Sequence, residues 1–465
     1  MLFDSPAFAL FLPLMLLLYW GLKGDARRWA LLLGSYFFYG WWDWRFCGLL
    51  GLSTVVDFLC AAAIGRSTQA ASRKRILCIS VVMNLGLLAT FKYFNFFRDS
   101  AAAMLSTLGL HADLPVLNLV LPAGISFYTF QTMSYVIDVY RGEHSEPSLL
   151  NFALFVSCFP QLVAGPIVRA RDFLPQLQSD RCFDEVDISS GVYRLFRGLF
   201  KKMVVADSLG LYVDVVFANP TAYSGVGAWI GLYAYAFQIY MDFSGYTDIA
   251  IGAGRLLGLR LAENFDSPYL AVSPSDFWRR WHITLSTWLR DYLYIPLGGS
   301  RQSTGRTMRN LMITMTLGGL WHGAAWTFVA WGVYHGLLLV GERVLWGPRR
   351  RTTAAQSGLG VHVLSVVAMF HLTCLGWLLF RSPNWQTVLA MLRAMTDFSA
   401  GETHGMRIAV VVALCTIAQA VPLIRTLPQR FARIPAFAQG ALAGACMWSL
   451  LLLSPEGKPF IYFQF

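Results

Sequence analysis

Apolar runs recur along almost the whole chain, near 7–22, 29–46, 47–65, 76–97, 115–137, 149–165, 226–258, 325–346, 362–381, 407–424 and 436–454, parted by short polar segments. A helix rises 1.5 Å per residue, so about 20 apolar residues cross a hydrocarbon core of about 30 Å. The pattern therefore predicts an all-α, polytopic membrane protein of roughly ten to twelve transmembrane helices, with re-entrant and interfacial helices besides. Pro122-Ala-Gly124 and Pro160, with Gly165-Pro166 closing the second run, interrupt two of the apolar segments. Backbone freed in this way must line a protein interior or cavity, so broken or re-entrant helices are expected there. Over 191–205, Arg194, Arg197 and Lys201 share one helical face opposite Leu199 and Met203, the pattern of a helix lying in the cytoplasmic interface. No soluble domain, low-complexity tract or internal repeat breaks the series, so one membrane domain over 1–465 is expected.

Charge orients these segments. Lys23, Arg27 and Arg28, then Arg73, Lys74 and Arg75, then Arg349, Arg350 and Arg351, and finally Arg425, Arg430 and Arg433 fall in alternate connections, whereas the loop around His111 is poor in Lys and Arg. The positive-inside rule places these clusters in the cytoplasm and both termini outside. The first apolar run follows no basic segment and ends in no small-residue cleavage site, so it is expected to remain as a span.

Composition narrows the class. Hydrophobic residues make up 56% and charged residues 14% of the 465 residues, and the mean hydropathy is +0.51. A lipid bilayer is therefore the partner along most of the surface. The net charge of +11 gathers in short loops, which argues against nucleic acid. The eight cysteines, including Cys182, show no paired or metal-binding spacing, and no metal site is expected.

Polar residues inside apolar sequence are where chemistry is sought. In Leu317-Gly-Gly-Leu-Trp-His-Gly-Ala-Ala-Trp-Thr-Phe-Val-Ala-Trp-Gly-Val-Tyr-His335, two histidines, His322 and His335, stand among tryptophans. The run 308–320 rises only about 20 Å, which puts His322 inside the membrane. Imidazole suits proton transfer near neutral pH, but His322 can equally be a neutral hydrogen-bonding residue between helices that Gly318, Gly319 and Gly323 let approach. Asp242 and Asp248 lie in membrane-like sequence, where a carboxylate orients a catalytic group or pairs with a buried cation. Ser273-Pro274-Ser275-Asp276 has the form of a helix start. A helix continuing from it places Phe277, Trp278, Trp281, Leu285, Trp288, Leu289 and Tyr292 on one apolar arc of about 120°. His282 lies at the edge of that arc, turned toward the His322 hairpin, while Arg279, Ser286 and Arg290 face away.

Phe277-Trp-Arg-Arg-Trp-His282 with its continuation to Gly299, followed by Gly318-Gly-Leu-Trp-His-Gly323, resembles the membrane-bound O-acyltransferases, in the branch of the alginate O-acetyltransferase membrane subunit. Leu121-Pro-Ala-Gly-Ile-Ser-Phe-Tyr-Thr-Phe130, Gly165-Pro166, Gly198-Leu-Phe-Lys-Lys202, Asp242-Phe-Ser-Gly-Tyr246 and Tyr462-Phe-Gln-Phe465 extend the likeness over nearly the whole chain, least over about 383–435. The resemblance implies a catalytic region at about 226–346, with His322 as catalytic histidine, His282 as the second histidine, and His335 as a secondary candidate. It implies transfer of an acyl group from a thioester donor, acetyl-CoA, with no tightly bound cofactor. Arg279, Arg280, Arg290, Arg301, Arg306 and Arg309 are the candidates for the donor's phosphates, or they merely obey the positive-inside rule. It further implies a relay in the bacterial inner membrane, passing acetyl to a periplasmic acetyltransferase that modifies an exopolysaccharide: alginate first, then cellulose or a peptidoglycan-type glycan. A transporter with a proton or substrate path, and a structural scaffold, are the rivals from other classes.

Overall fold

The computed structural model describes all residues except 111–113, 164, 179–184, 348–357, 400–404, 421–426, 428–429, 432, 454–459 and 462–465. The His111 loop, Cys182, the 349–351 arginine cluster, Arg425 and the closing 462–465 motif lie outside the described residues. Every regular element among the described residues is helical. Two compact units divide the chain: Met1–Gly191 with Ala250–Ala262, and Val192–Ile249 with Glu263–Phe465.

The first unit begins with α1 (Pro6–Gly21), α2 (Gly24–Gly40), α3 (Arg45–Arg66), α4 (Ala70–Leu88) and α5 (Phe94–Thr107). It continues with α6 (Ile125–Tyr140), α7 (Leu149–Ser157), the one-turn α8 (Phe159–Leu162), α9 (Ala170–Gln178) and the start of α10 (Glu185–Leu199). The interruptions read from proline and glycine are present. Gly124 takes φ 74° at the start of α6, a left-handed conformation that costs glycine little, and the chain breaks between α7 and α8 ahead of Pro160. Helices α3, α4 and α6 pack against one another pairwise.

The second unit holds α11 (Asp207–Ala218), most of α12 (Gly225–Leu256), α13 (Pro274–Arg280), α14 (Ile283–Leu289), α15 (Thr304–His322) and α16 (Trp326–Trp346). After these come α17 (Leu359–Arg381), α18 (Trp385–Thr396), α19 (Met406–Ala420) and α20 (Ala436–Leu453). Its core follows α12, where Leu232, Ala234, Tyr235, Ala236, Phe237 and Ile239 are wholly buried. Arg45–Arg66, Ala70–Thr107, Trp326–Trp346 and Leu359–Arg381 are long and apolar enough to cross a membrane; Pro6–Gly21, Arg407–Gln419 and Phe437–Cys446 are shorter apolar helices. The protein is all-α and built for a membrane.

Two local expectations are corrected. Ser273 does cap α13, accepting from the Asp276 amide, with Pro274 in the first turn. The helix does not run on to Tyr292, however: His282 takes φ 41° and separates α13 from α14. A left-handed residue turns the axis, so the single apolar arc does not exist as plotted. The basic face of α10 and the π-helical turn after it (Phe200–Ala206) is not given to headgroups. Arg194 Nε, Arg197 Nη2 and Lys201 Nζ converge on the buried Asp248 carboxylate at 2.8, 2.6 and 2.7 Å.

Candidate active site

The site grows from a helix hairpin. Helices α15 and α16 approach closely because glycine faces glycine: a Cβ on Gly319 would come within 2.9 Å of Gly332 Cα, and one on Gly332 within 3.1 Å of Gly319 Cα. Neither backbone can yield that much, so a side chain at either position would force the helices apart. His322 is the last residue of α15 and is 3% exposed. Its ring meets Trp321, Trp331 and Phe380 edge to face, at centroid distances of 5.1, 4.9 and 5.2 Å.

Two tryptophans link the three histidines. Trp321 lies 5.1 Å from His322 and 6.1 Å from His282; Trp331 lies 4.9 Å from His322 and 4.7 Å from His335. His282 and His335 are buried at 0% and 1% exposure. His335 is stacked on Phe277 and crowded by Gly376, where a Cβ would come within 2.8 Å of Nε2. Neither of its ring nitrogens has a hydrogen-bond partner among the described residues. The Trp331 indole N–H, 1% exposed as a residue, is also without a partner among them. Buried donors and acceptors left this way are costly, and each calls for a partner such as water or a substrate.

His282 is held by a residue that the sequence did not mark. Asn264 is 0% exposed. Its Oδ1 lies 3.0 Å from His282 Nδ1 and accepts from the Thr284 amide at 3.2 Å and the Thr284 hydroxyl at 3.0 Å. An amide N–H can only donate, so this Asn264 atom is the oxygen, and His282 Nδ1 must carry the proton. The lone pair is then on Nε2. The Asn264 carbonyl also accepts from the Ile283 amide at 2.9 Å, which clamps the left-handed turn at His282. Burial pushes the His282 imidazole below its usual range, which keeps it neutral. Phe243 packs edge-on to the same ring at 4.7 Å.

The aspartates serve ion pairs. Asp248 is paired as described, and Glu263 also pairs with Arg194. Asp242 Oδ1 lies 3.0 Å from Lys202 Nζ, which lies 2.7 Å from Asp207; Lys202 is 1% exposed. Asp242 Oδ2 accepts from the Ile461 amide at 2.7 Å. The neighbouring Phe460 ring packs on Tyr246 and Phe243. A cavity of about 550 Å³ is lined by Arg194, Arg197, Lys201 and Asp248 together with Phe265 and Ile283, the chain neighbours of Asn264 and His282. Its size is that of a small-molecule site.

The six arginines fall into two groups. Arg279 and Arg280 pair with Asp276 at 3.2 and 3.1 Å, and Arg290 with Asp291 at 2.7 Å. Arg301, Arg306 and Arg309 are exposed and have no acidic partner among the described residues. No cluster of metal-ligating side chains occurs among the described residues.

The pattern of the MBOAT, membrane-bound O-acyltransferase family matches residues 36–382. The probable alginate O-acetylase AlgI of Azotobacter vinelandii is 45% identical over 86% of this chain and 78% of its own length. Its counterpart in Pseudomonas aeruginosa is 44% identical over 86% and 75%. The peptidoglycan O-acetyltransferase of Helicobacter pylori is 36% identical over 86% and 80%. The chain thus belongs to the membrane-bound O-acyltransferase family, and its chemistry is O-acyl transfer at a membrane.

Proposed function

We propose that the chain takes acetyl groups from cytoplasmic acetyl-CoA and passes them across the bacterial inner membrane for O-acetylation of an exopolysaccharide, with a periplasmic acetyltransferase as partner. Alginate is the first polymer, on the names of the relatives from Azotobacter and Pseudomonas. A peptidoglycan-type glycan is second, on that of the Helicobacter relative.

The observation that carries this reading is the burial of His322 at the tip of a glycine-packed hairpin, with His282 and His335 each one tryptophan away. His322 accepts the acceptor's hydroxyl proton as that oxygen attacks the thioester carbonyl. The C–O bond forms, the C–S bond breaks, and the proton leaves with the thiolate of coenzyme A. Trp331 Nε1–H supplies a hydrogen bond to the oxyanion that develops between those two events. His282, with its proton directed at Asn264, offers a lone pair and so orients a hydroxyl rather than polarising a carbonyl. Arg301, Arg306 and Arg309 receive the donor's phosphates at the start of α15, and Arg309 stands about 20 Å along that helix from His322.

The test is acetyl-CoA turnover by the purified protein in detergent or vesicles, with and without the periplasmic partner. Release of coenzyme A together with acetyl transfer supports the reading; transport of an intact glycan or proton without coenzyme A release overturns it.

A further inference from the structure

A buried hydroxyl stands close to the tip of the histidine hairpin. Thr327 lies in the first turn of α16, joined to His322 through Gly323–Ala325, and is 3% exposed. A threonine in a helix ordinarily returns its hydroxyl to the carbonyl three or four residues back, or caps the helix start. Neither is met here. The residue four back, Gly323, is extended at φ −159° and ψ 152°, and the residue three back also precedes the helix. The capping position belongs to Ala325, whose carbonyl accepts from the amides of Phe328 and Val329 at 3.1 and 3.3 Å. Thr327 Oγ1 is left with no hydrogen-bond partner among the described residues.

A second such donor stands on the same helix face. Trp331 follows Thr327 by four residues, which places it about 6 Å further along α16 and only about 40° round the axis. Helical side chains lean toward the N-terminus, so the Trp331 indole lies over the turn that carries Thr327. Trp331 Nε1 also has no partner among the described residues. The indole N–H could donate to the Thr327 oxygen and does not, so the two groups address a common region without bonding each other. The Trp331 ring is 4.9 Å from that of His322 and 5.4 Å from that of Phe380, which sets this region beside the base.

Both groups can donate. An indole N–H does nothing else, and a threonine O–H rotates to suit its acceptor. The oxygen of a thioester under attack gains charge and accepts more than one hydrogen bond, and donors fixed in advance in a dry site stabilise it most. We propose that Thr327 Oγ1 is a catalytic residue, the second donor beside Trp331 Nε1 to the oxyanion of the tetrahedral intermediate. This rests on the acyl-transfer reading above. As the attacking oxygen bonds to the carbonyl carbon, the π pair moves onto the carbonyl oxygen and both hydrogen bonds strengthen. As that pair returns and the C–S bond breaks, both weaken. No proton leaves Thr327, so the proton balance of the reaction is unchanged.

The experiment is steady-state release of coenzyme A from acetyl-CoA by the purified full chain in detergent, with thermal unfolding of the same samples. Thr327→Val keeps the shape and deletes the hydroxyl. Its kcat per folded molecule should fall about 10²-fold with KM for acetyl-CoA within about twofold of wild type. Its unfolding midpoint should hold or rise, because the lost hydroxyl had no protein partner. Thr327→Ser restores the O–H and should recover most of the lost kcat. Thr327→Val combined with Trp331→Phe should cost less than the product of the two single losses, since both donors serve one oxygen. Should Thr327→Val fail to fold, Thr327→Ser against Thr327→Ala gives the same contrast. Wild-type kcat in Thr327→Val, a loss confined to KM, or a Ser variant as impaired as the variant without a hydroxyl overturns the proposal. A wild-type chain that releases no coenzyme A overturns the acyl-transfer reading as well, whereas a working wild type beside an equally active Thr327→Val overturns this inference alone.

Discussion

Asn264 Oδ1 stands 3.0 Å from His282 Nδ1 and accepts a hydrogen bond from its N–H, across 18 residues of sequence and within a fully buried turn. In the proposed mechanism Asn264 is a positioning residue, acting through the tautomer of His282.

Asn264→Ala should lower turnover by roughly 10–100-fold, because His282 loses the group that selects its tautomer. It also removes the side-chain acceptor of the buried Thr284 amide, a cost of about 1–3 kcal/mol in stability. Asn264→Asp keeps an oxygen acceptor and should recover much of the activity. Turnover per folded molecule, with KM measured separately, distinguishes this from a purely structural loss, in which both variants would differ only in yield.

His322→Ala should abolish acetyl transfer by at least two orders of magnitude, since general base catalysis contributes about 10²–10⁴-fold. His322→Gln is the sharper comparison: it keeps hydrogen-bonding capacity but cannot accept a proton at neutral pH. Near-normal turnover in the Gln variant would remove His322 from the mechanism and pass the role of base to His282 or His335.

Trp331→Phe retains an aromatic ring beside His322 and deletes one N–H. The expected result is a fall of about 10²-fold in kcat with KM little changed, the signature of an interaction made mainly in the transition state. A rise in KM alone would make Trp331 a wall of the binding site instead.

Joint replacement of Arg301, Arg306 and Arg309 by Gln should raise KM for acetyl-CoA and leave the folded yield intact, because none of the three is held by a carboxylate among the described residues. The same replacement of Arg279, Arg280 and Arg290 removes ion pairs with Asp276 and Asp291 and should act first on α13 and α14. Unchanged affinity for acetyl-CoA in the first variant would return its arginines to topology alone.

Much of this was legible in the residues. The apolar runs foretold helices, Ser273-Pro274 foretold the start of α13, and the small residues around His322 foretold a tight hairpin. The turn at His282 was not legible, because a helical plot assumes a continuous axis and nothing marks a histidine as left-handed. Asn264 sits between Glu263 and Phe265 without any period or motif, and its importance comes from a loop meeting residues 280–284. The basic face of α10 was visible, but its target, Asp248, lies 47–54 residues further on, and pairing across that distance leaves no local trace. Asp57 looks like a stray acid in an apolar run until Ser80 and Asn84 of α4 and Thr132 of α6 bring their hydroxyls and amide to it.

The bond from the Ile461 amide to Asp242 has a consequence for biosynthesis. Its two ends are 219 residues apart. At about 5–20 residues per second, roughly 10–40 s of translation separate the appearance of the acceptor from that of its donor. Once α12 is made, one oxygen of Asp242 still awaits the Ile461 amide, and the Phe460 ring is not yet against Phe243 and Tyr246. The packing around Asp242 is therefore completed only after most of the helices have been synthesised, and a ribosome stalled before residue 461 holds a chain in which Asp242 has Lys202 but not its second partner.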